Sequence, residues 1–378
     1  MTDEEEGLRQ RLAERLARSG HLRTTPWREA VEIMPRHEFL RGGFFEAVQG
    51  SMPTAWRPVM PDDPRWLPRC YDDDSLVTQI AGTITPRDIR GEIMRSPTSS
   101  STMPGLVVRM LEDLQADHGQ HVLEIGTGTG YSTGLLCHRL GEDLVTSIEV
   151  DETVATQARN SLGQVGYAPC LVVGDGLDGH KEGGPYDRLI ATCGVLTLPT
   201  EWISQVRPGG LILATVCGWM YSSELARLTV NDDGTATGTF LGGQISFMLA
   251  RRQQPPLLGL LPDLDDGDER PTPVGPGLDD WNTRFVAQLA APRAQKIGLT
   301  RDDGRTEQIL IDVDAGAWAA LYQETPGGRW MVRQGGPERL WDAVEDDVQR
   351  WKADGAPPLE RFTITAGPSG QNITWPKA

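Results

Sequence analysis

The 378-residue sequence predicts an α/β fold: a doubly wound sheet, with helices ahead of it and a smaller α+β domain behind it. Two observations carry this prediction. Residues 121–130, HVLEIGTGTG, have the pattern of a buried strand that ends in a glycine-rich turn and opens a helix. Apolar strand-like runs and helix-like runs then alternate as far as residue 216, which is typical of a parallel sheet with crossover helices.

The region before the glycine turn is expected to begin with two helices. Residues 7–20 carry leucines at four-residue spacing and end at a glycine, and residues 26–34 have Pro26 in the first turn. Residues 41–68 are rich in Gly, Pro and Trp with little periodicity, so we expect an ordered surface insertion there. After the turn, strands are expected over residues 144–150, 170–176, 185–192 and 211–216, and helices over 152–163 and 198–210.

Further strands are expected over residues 224–230, 235–241 and 245–250. A proline-rich acidic stretch then predicts a linker, and strand-like runs around one helix at 337–353 predict a last domain that holds six of the 11 tryptophans. The predicted organisation is an N-terminal helical segment with substrate-side loops (1–110), a cofactor-binding core (111–252), a linker (253–280) and an accessory α+β domain (281–378).

Composition excludes several classes of function. The chain has 53 Asp and Glu against 36 Lys and Arg, a net charge of -17, which argues against nucleic acid and anionic membrane surfaces as partners. The acidic start lacks a signal-peptide pattern, no run reaches the roughly 18 apolar residues of a membrane span, and a cytoplasmic location is expected. The histidines and cysteines have no metal-ligand spacing, so no metal is predicted.

The glycine turn differs from the dinucleotide fingerprint GxGxxG. Gly126 and Gly128 fit that pattern, but Tyr131 stands at its third glycine position and the extra glycine is Gly130. The pattern ExGxGxG, with Glu124 two residues before the first glycine, looks like the first motif of S-adenosylmethionine (SAM) methyltransferases. An acid beside this turn suits the ammonium and sulfonium charges of SAM.

A second acid supports a nucleoside cofactor. Glu149 ends the next predicted strand, 23 positions after Gly126, where an acid commonly holds ribose hydroxyls. The alternative is a solvated charge at the end of a strand.

Several pieces in order resemble protein L-isoaspartyl (D-aspartyl) O-methyltransferases over about residues 26–250. They are the segments PRHEFL (35–40), YDDD (71–74), SPTSSSTMPG (96–105), GTGTGY (126–131), IEVD (148–151), GDG (174–176), PYDRLI (185–190) and QVRPGG (205–210). The resemblance implies that Asp175 faces the adenine amino group and that an S-x-P turn lies at the active site, with Thr102 here in the serine position. The extra residues at 41–68, the long loop at 83–97 and the C-terminal extension depart from that family.

The implied chemistry is methyl transfer to a carboxylate. A carboxylate is ionised at pH 7, so no general base is needed, and hydroxyl groups near the turn would position it. We expect this role for Ser100, Ser101 and Thr102, although the same stretch could be a flexible loop that caps a helix. The expected cofactor residues are Glu124, Gly126, Thr127, Gly128, Gly130, Tyr131, Glu149, Val150, Asp175 and Gly176, with S-adenosylhomocysteine as the product of SAM.

The C-terminal extension resembles long family members that tailor ribosomally made peptides such as lanthipeptides, lasso peptides and graspetides. That resemblance implies methylation of an aspartate in a constrained peptide, followed by closure to an aspartimide. General repair of isoaspartyl proteins is the alternative, and another carboxyl or small-molecule acceptor remains open. A nicotinamide-dependent oxidoreductase and a non-catalytic scaffold are disfavoured by Tyr131 and by the retained acids and glycines, respectively.

Overall fold

Two units divide the chain in the computed structural model, which describes residues 3–377. The first comprises Met1–Thr192 and Glu201–Leu213, and the second comprises Cys193–Thr200 and Ala214–Ala378. The domain boundaries expected after residues 110, 252 and 280 do not coincide with this division. The N-terminal segment packs closely on the glycine-turn region, and the two belong to one unit.

The first unit alternates helices and strands as predicted around the glycine turn. Its helices are α1 (Asp3–Arg18), α2 (Thr25–Ile33), α3 (Trp66–Arg69), α4 (Pro104–Leu114), α5 (Tyr131–Leu140), α6 (Glu152–Gln164) and α7 (Thr200–Gln205). Its strands are β1 (Phe44–Ala47), β2 (Trp56–Val59), β3 (Leu76–Ile80), β4 (Pro97–Ser101), β5 (Val122–Ile125), β6 (Val145–Glu149), β7 (Cys170–Val173), β8 (Tyr186–Val195) and β9 (Val206–Cys217).

The main sheet of this unit has the strand order β9-β8-β5-β6-β7. Strand β5 pairs in parallel with β6 and β8, and β6 pairs in parallel with β7. Ile125 lies opposite Ile148 and Ala191, so the carboxyl ends of the central strands lie side by side. Every residue of β5 and β6 is buried, as expected for parallel strands covered on both faces. The strand order reverses between β5 and β8, and ligands bind at such a switch point in open α/β sheets.

A second sheet, which the sequence did not predict, is formed by two strands of the insertion and two strands that follow it. Its strands run β2-β1-β3-β4, all antiparallel, around a small core that includes Phe45, Val77 and Ile80. Strand β4 contains the serine run that was expected to be a loop or turn. These strands are only four or five residues long, which explains why their periodicity is weak in the sequence.

The second unit is richer in strands. Its helices are α8 (Trp281–Ala290) and α9 (Leu340–Ala353), and its strands are β10 (Ser223–Val230), β11 (Ala236–Phe240), β12 (Asp268–Pro271), β13 (Gln295–Thr300), β14 (Thr306–Asp312), β15 (Ala317–Gln323), β16 (Trp330–Gly335), β17 (Thr363–Gly367) and β18 (Gly370–Thr374). One antiparallel set has the order β18-β17-β11-β10, and a separate antiparallel sheet has the order β12-β16-β15-β14-β13.

Two expectations for the second unit are corrected. Residues 245–250 form no strand. Their strand pairing is limited to one isolated bridge, between Leu249 and Gly194. The segment expected to be a linker contains β12, which pairs along its whole length with β16.

The six tryptophans within residues 281–378 are all buried or half-buried. Trp318, Trp341 and Trp351 are buried, and Trp281, Trp330 and Trp375 are half-buried. Indole N–H groups donate to internal acceptors, for example from Trp351 to the Pro357 carbonyl. This placement is that of core residues.

No helix between residues 3 and 377 combines the length and the apolar character needed to cross a membrane.

Candidate active site

The glycine turn after β5 requires its glycines. Gly126, Gly128 and Gly130 have φ values of 93°, 56° and 91°, a region that side chains with a Cβ rarely adopt. A Cβ on Gly126 would lie 2.7 Å from Thr192 Oγ1. Gly126 N–H also donates to the Ile148 carbonyl at 2.8 Å, which fixes the turn to the end of β6.

A buried hydroxyl network holds the turn from beneath. Glu124 is fully buried, and its carboxylate accepts hydrogen bonds from Ser132 and Thr133 at 2.5 Å and from Ser147 at 2.7 Å. Ser147 in turn bonds Thr127 of the turn at 2.7 Å. Burial raises the pKa of Glu124. This placement favours a structural role for Glu124 beneath the turn, whereas the sequence interpretation put its carboxylate beside the ligand.

The ends of β6 and β7 bring two further acids to the same edge of the sheet. Glu149 accepts from Gly128 N–H at 2.9 Å, so the second strand end and the glycine turn are joined directly. Asp175 is half-buried and accepts from Leu177 N–H at 2.9 Å. Gly176 packs against Ile125, and a Cβ on Gly176 would overlap the Ile125 side chain.

Apolar side chains are exposed next to these acids. Val150, directly after the buried strand β6, is 40% exposed, and Val173, the last residue of β7, is 47% exposed. Exposed branched apolar residues of this kind suit the face of an adenine base.

Tyr131 does not reach this edge. It is 3% exposed, packs edge-on against Phe39 with ring centroids 5.8 Å apart, and has the Arg36 guanidinium 5.8 Å from its ring centroid. Burial raises the pKa of its hydroxyl to about 12. Tyr131 therefore links the first turn of α5 to the segment at 35–40.

Arg36 joins the N-terminal segments into one body. Its side chain is fully buried and donates to main-chain carbonyls at 3.0–3.2 Å. These acceptors are the carbonyl oxygens of Cys70, Asp72, Asp74, Ser101 and Thr102. Burial lowers the pKa of Arg36, which nevertheless stays cationic because its ordinary value is so high. The end of β4 and the segment at 70–74 are thus held by one side chain, which we call the Arg36 clamp.

The segment at 71–74 also caps α4, the helix after the serine run. Asp73 accepts from Gly105 N–H at 2.6 Å, and Tyr71 Oη bonds His37 Nδ1 at 2.6 Å. His37 therefore has the hydrogen-bonding surroundings of a structural residue, and burial lowers its pKa. The pieces PRHEFL, YDDD and SSST, far apart in sequence, meet here.

The three candidate hydroxyls divide between the two faces of the chain. Ser101 is buried, and its hydroxyl accepts from Arg36 Nε at 3.4 Å, so it faces the clamp. Ser100 and Thr102 are half-buried and alternate with Ser101 along the strand. The Ser100 carbonyl lies 3.5 Å from the position that a Cβ would take on Gly128, which places this stretch of β4 at the glycine turn.

The comparisons with known proteins agree with this geometry. The model of the family described as "Protein-L-isoaspartate(D-aspartate) O-methyltransferase (PCMT)" matches residues 83–248. A protein-L-isoaspartate O-methyltransferase of Methanopyrus kandleri is 31% identical over 229 residues, which are 60% of this chain and 84% of the relative. This chain belongs to the protein-L-isoaspartate O-methyltransferase family. A Polaromonas protein named protein-L-isoaspartate O-methyltransferase 2 is 30% identical over 192 residues, which are 50% of this chain and 80% of the relative.

A solved structure of a protein-L-isoaspartate O-methyltransferase covers 97% of this chain and 99% of its own, with a TM-score of 0.56 and 20% identity. This likeness confirms the α/β fold. A solved structure with this name is therefore of comparable extent.

The site fits the family's cofactor, SAM. The turn offers glycine backbone, and two carboxylates stand at the ends of adjacent strands with exposed valines close to them in sequence. Glu149, Val150, Asp175 and Gly176 would hold the nucleoside, and the residues of the turn would approach the amino-acid part. Within residues 3–377 no cluster of three or more His, Cys, Asp or Glu side chains could hold a metal.

Sequence reasoning missed the residues that hold the site in place. Arg36 lies within the segment PRHEFL beside the polar residues His37 and Glu38, so nothing in the local sequence indicates that it is buried. Ser132, Thr133 and Ser147 gave no signal, because each is separated in sequence from the acid it serves.

Proposed function

We propose that this protein is a SAM-dependent O-methyltransferase that esterifies isoaspartyl carboxylates in proteins and peptides. Membership of the family supports the reaction class. The observation that carries the proposal is the position of β4: the Arg36 clamp holds its end, and the Ser100 carbonyl lies against Gly128 of the glycine turn. The backbone of β4, whose serine side chains carry hydroxyl groups, therefore lies beside the turn that would receive the methyl donor.

The residues of this chain would act by positioning. Bound SAM supplies an electrophilic methyl group, so the acceptor oxygen forms a bond to carbon while the carbon–sulfur bond breaks. The acceptor carboxylate is ionised at neutral pH, which removes the need for a protein base. The hydroxyls of Ser100 and Thr102 would donate to that carboxylate and orient one oxygen, and β3 and β4 would limit access of water.

Glu124 contributes by holding the turn, and Ser101 by its contact with the clamp. Glu149 and Asp175 would accept hydrogen bonds from the cofactor's ribose and adenine groups. A carboxylate has about four acceptor positions, so Glu149 can receive a ribose hydroxyl in addition to backbone N–H groups.

The names of the relatives favour general isoaspartyl repair over peptide tailoring. The argument for tailoring came from the C-terminal extension, which a solved family structure also spans to the extent of 97% of this chain. Tailoring of a ribosomal peptide, with aspartimide as product, stays a prediction, as does a cytoplasmic location.

Mass spectrometry of three matched peptides tests the proposal. The purified protein is incubated with SAM and a linear isoaspartyl peptide, the same peptide with normal aspartate, and a cyclised aspartyl version. We expect one methyl group to be added to the linear isoaspartyl peptide alone. Methylation of the cyclised aspartyl peptide alone, followed by loss of methanol, would contradict the repair function and support peptide tailoring. The absence of methylation on all three peptides would refute both functions.

A further inference from the structure

A cavity of about 280 Å³ lies beside the glycine turn, within the first unit. One wall is Gly128 and Thr129 of the turn, and another is the outer face of α6, with Gln157, Asn160 and Ser161. The remaining walls come from residues 39–43 and from the second sheet and its loop, including Gln79, Ser99 and Arg87. Residues 39–43 and 78–79 lie outside the segment that the family model matches.

The charge of this cavity is opposite to that of the protein. The chain has a net charge of -17, yet the residues that line the cavity include Arg41 and Arg87 and no aspartate or glutamate. The lining also holds the amides of Gln157 and Asn160, several hydroxyls, and the apolar side chains of Phe39, Pro86 and Val154. A concave surface of this composition favours an anion.

The carboxylates nearest in sequence are engaged elsewhere. Glu38 pairs with Arg41 at the rim, and Asp88 accepts from Thr85 N–H at 2.8 Å and from the Thr85 hydroxyl at 2.7 Å. Asp151 accepts from Gln79 Nε2 at 3.3 Å. Arg87 is exposed and donates to the Arg41 carbonyl at 3.4 Å, and among residues 3–377 it forms no ion pair with a carboxylate.

The cavity is separate from the places assigned to the nucleoside. Glu149, Val150, Asp175 and Gly176 are absent from its lining, whereas Gly128 and Thr129 of the glycine turn belong to it. The cavity therefore adjoins the glycine turn.

We propose that this cavity is a specificity subsite that takes a second carboxylate of the peptide substrate, from an acidic side chain near the methyl acceptor, with Arg87 as its main cation. The inference rests on the proposed function, because it names the peptide class that the same site would select. Arg41 would contribute less, since Glu38 already neutralises it. Polar groups on α6 would bond the peptide amides around the acidic residue.

Two isoaspartyl peptides that differ only by Glu or Gln, two residues from the acceptor, test the subsite. An exposed charge pair is worth up to about 1 kcal/mol, so the wild type should prefer the Glu peptide by about fivefold in kcat/KM. Arg87→Gln should reduce this ratio to about one. Arg90→Gln is the matched control, because Arg90 lies on the same loop, is exposed and does not line the cavity.

The other outcomes overturn the inference. The inference is wrong if the wild type has equal kcat/KM values for the Glu and Gln peptides. It is also wrong if Arg87→Gln leaves the ratio of these two kcat/KM values unchanged. If Arg87→Gln raised the KM for SAM and left the peptide ratio alone, the bound carboxylate would be that of the cofactor. Fluorescence anisotropy of peptide binding in the presence of S-adenosylhomocysteine tests the subsite separately from the proposed methyl transfer. If the Glu peptide binds more tightly than the Gln peptide, and this preference depends on Arg87, but neither peptide is methylated, the proposed function is refuted and the subsite is supported.

Discussion

Glu124 illustrates how a single residue shapes the site without lying on its surface. Its carboxylate accepts from three hydroxyl groups that come from α5 and β6. Burial disfavours its charged form and raises its pKa, while the three hydroxyl donors oppose this effect. The sequence placed an acid correctly in the motif but could not tell which way its side chain points.

Glu124→Gln should change the pH dependence of stability. The pKa of Glu124 is raised from its ordinary value of 4.5, so the folded protein binds the proton more tightly than the unfolded chain. The resulting contribution to stability is complete below pH 4.5 and is lost as pH rises through the folded-state pKa. Glutamine cannot titrate, so the free energy of unfolding of the variant, relative to wild type, should increase with pH above 4.5.

Urea denaturation at a series of pH values measures this difference. The free energy of unfolding of the variant minus that of the wild type should rise as pH increases from 4.5 to the folded-state pKa of Glu124 and level off above it, whatever constant offset the amide introduces. Curves that stay parallel from pH 4.5 to 8 would mean that Glu124 does not titrate differently in the folded and unfolded states.

At the scale of elements, the strands next to the glycine turn were predictable and the second sheet was not. Strands β5 to β8 follow from apolar runs and fixed motif spacings, and parallel burial makes those runs continuous. Strand β4 consists of Pro, Thr and Ser, which have no strand-like apolar pattern. It exists because of pairing with β3, with Leu76 opposite Ser101 and Val77 opposite Ser100. Such pairing between distant segments leaves little trace in local sequence.

The Arg36 clamp should matter for catalysis more than for cofactor binding. Arg36→Lys keeps the charge but replaces a planar fork by a point donor, so most of the carbonyl acceptors lose their partner. We expect kcat to fall by about tenfold, because the end of β4 shifts relative to the turn, while the Kd for SAM changes by less than about twofold. Steady-state kinetics and calorimetry of SAM binding measure the two quantities.

Arg188→Lys is the control for general loss of stability. Arg188 also donates to main-chain carbonyls, including those of Leu114 and Gln115, but it lies near the amino end of β8, away from the site. Both variants should be less stable than wild type, and only Arg36→Lys should lose turnover. Equal losses of kcat in the two variants would reduce the clamp to an ordinary structural contact.

At the scale of the whole molecule, composition indicated what the protein does not bind better than what it does. A net charge of -17 disfavours nucleic acid, but it conceals a cavity beside the turn that carries only cationic and neutral groups. That cavity is formed by segments from four parts of the chain, so its charge emerges only when they are brought together. The C-terminal unit was predicted to exist, and its role in function stays a prediction.

The measurement that tests the account most directly is methyl transfer to a linear isoaspartyl peptide by wild type and by the double variant Ser100→Ala/Thr102→Ala. Ser96→Ala, an exposed position just before β4, is the control. The account predicts that the wild type and the control form the methyl ester. The double variant should bind SAM with an unchanged Kd and lose roughly tenfold to a hundredfold in kcat. Full turnover by the double variant, or no ester from the wild type, would contradict the assignment of β4 and the glycine turn as one site of methyl transfer.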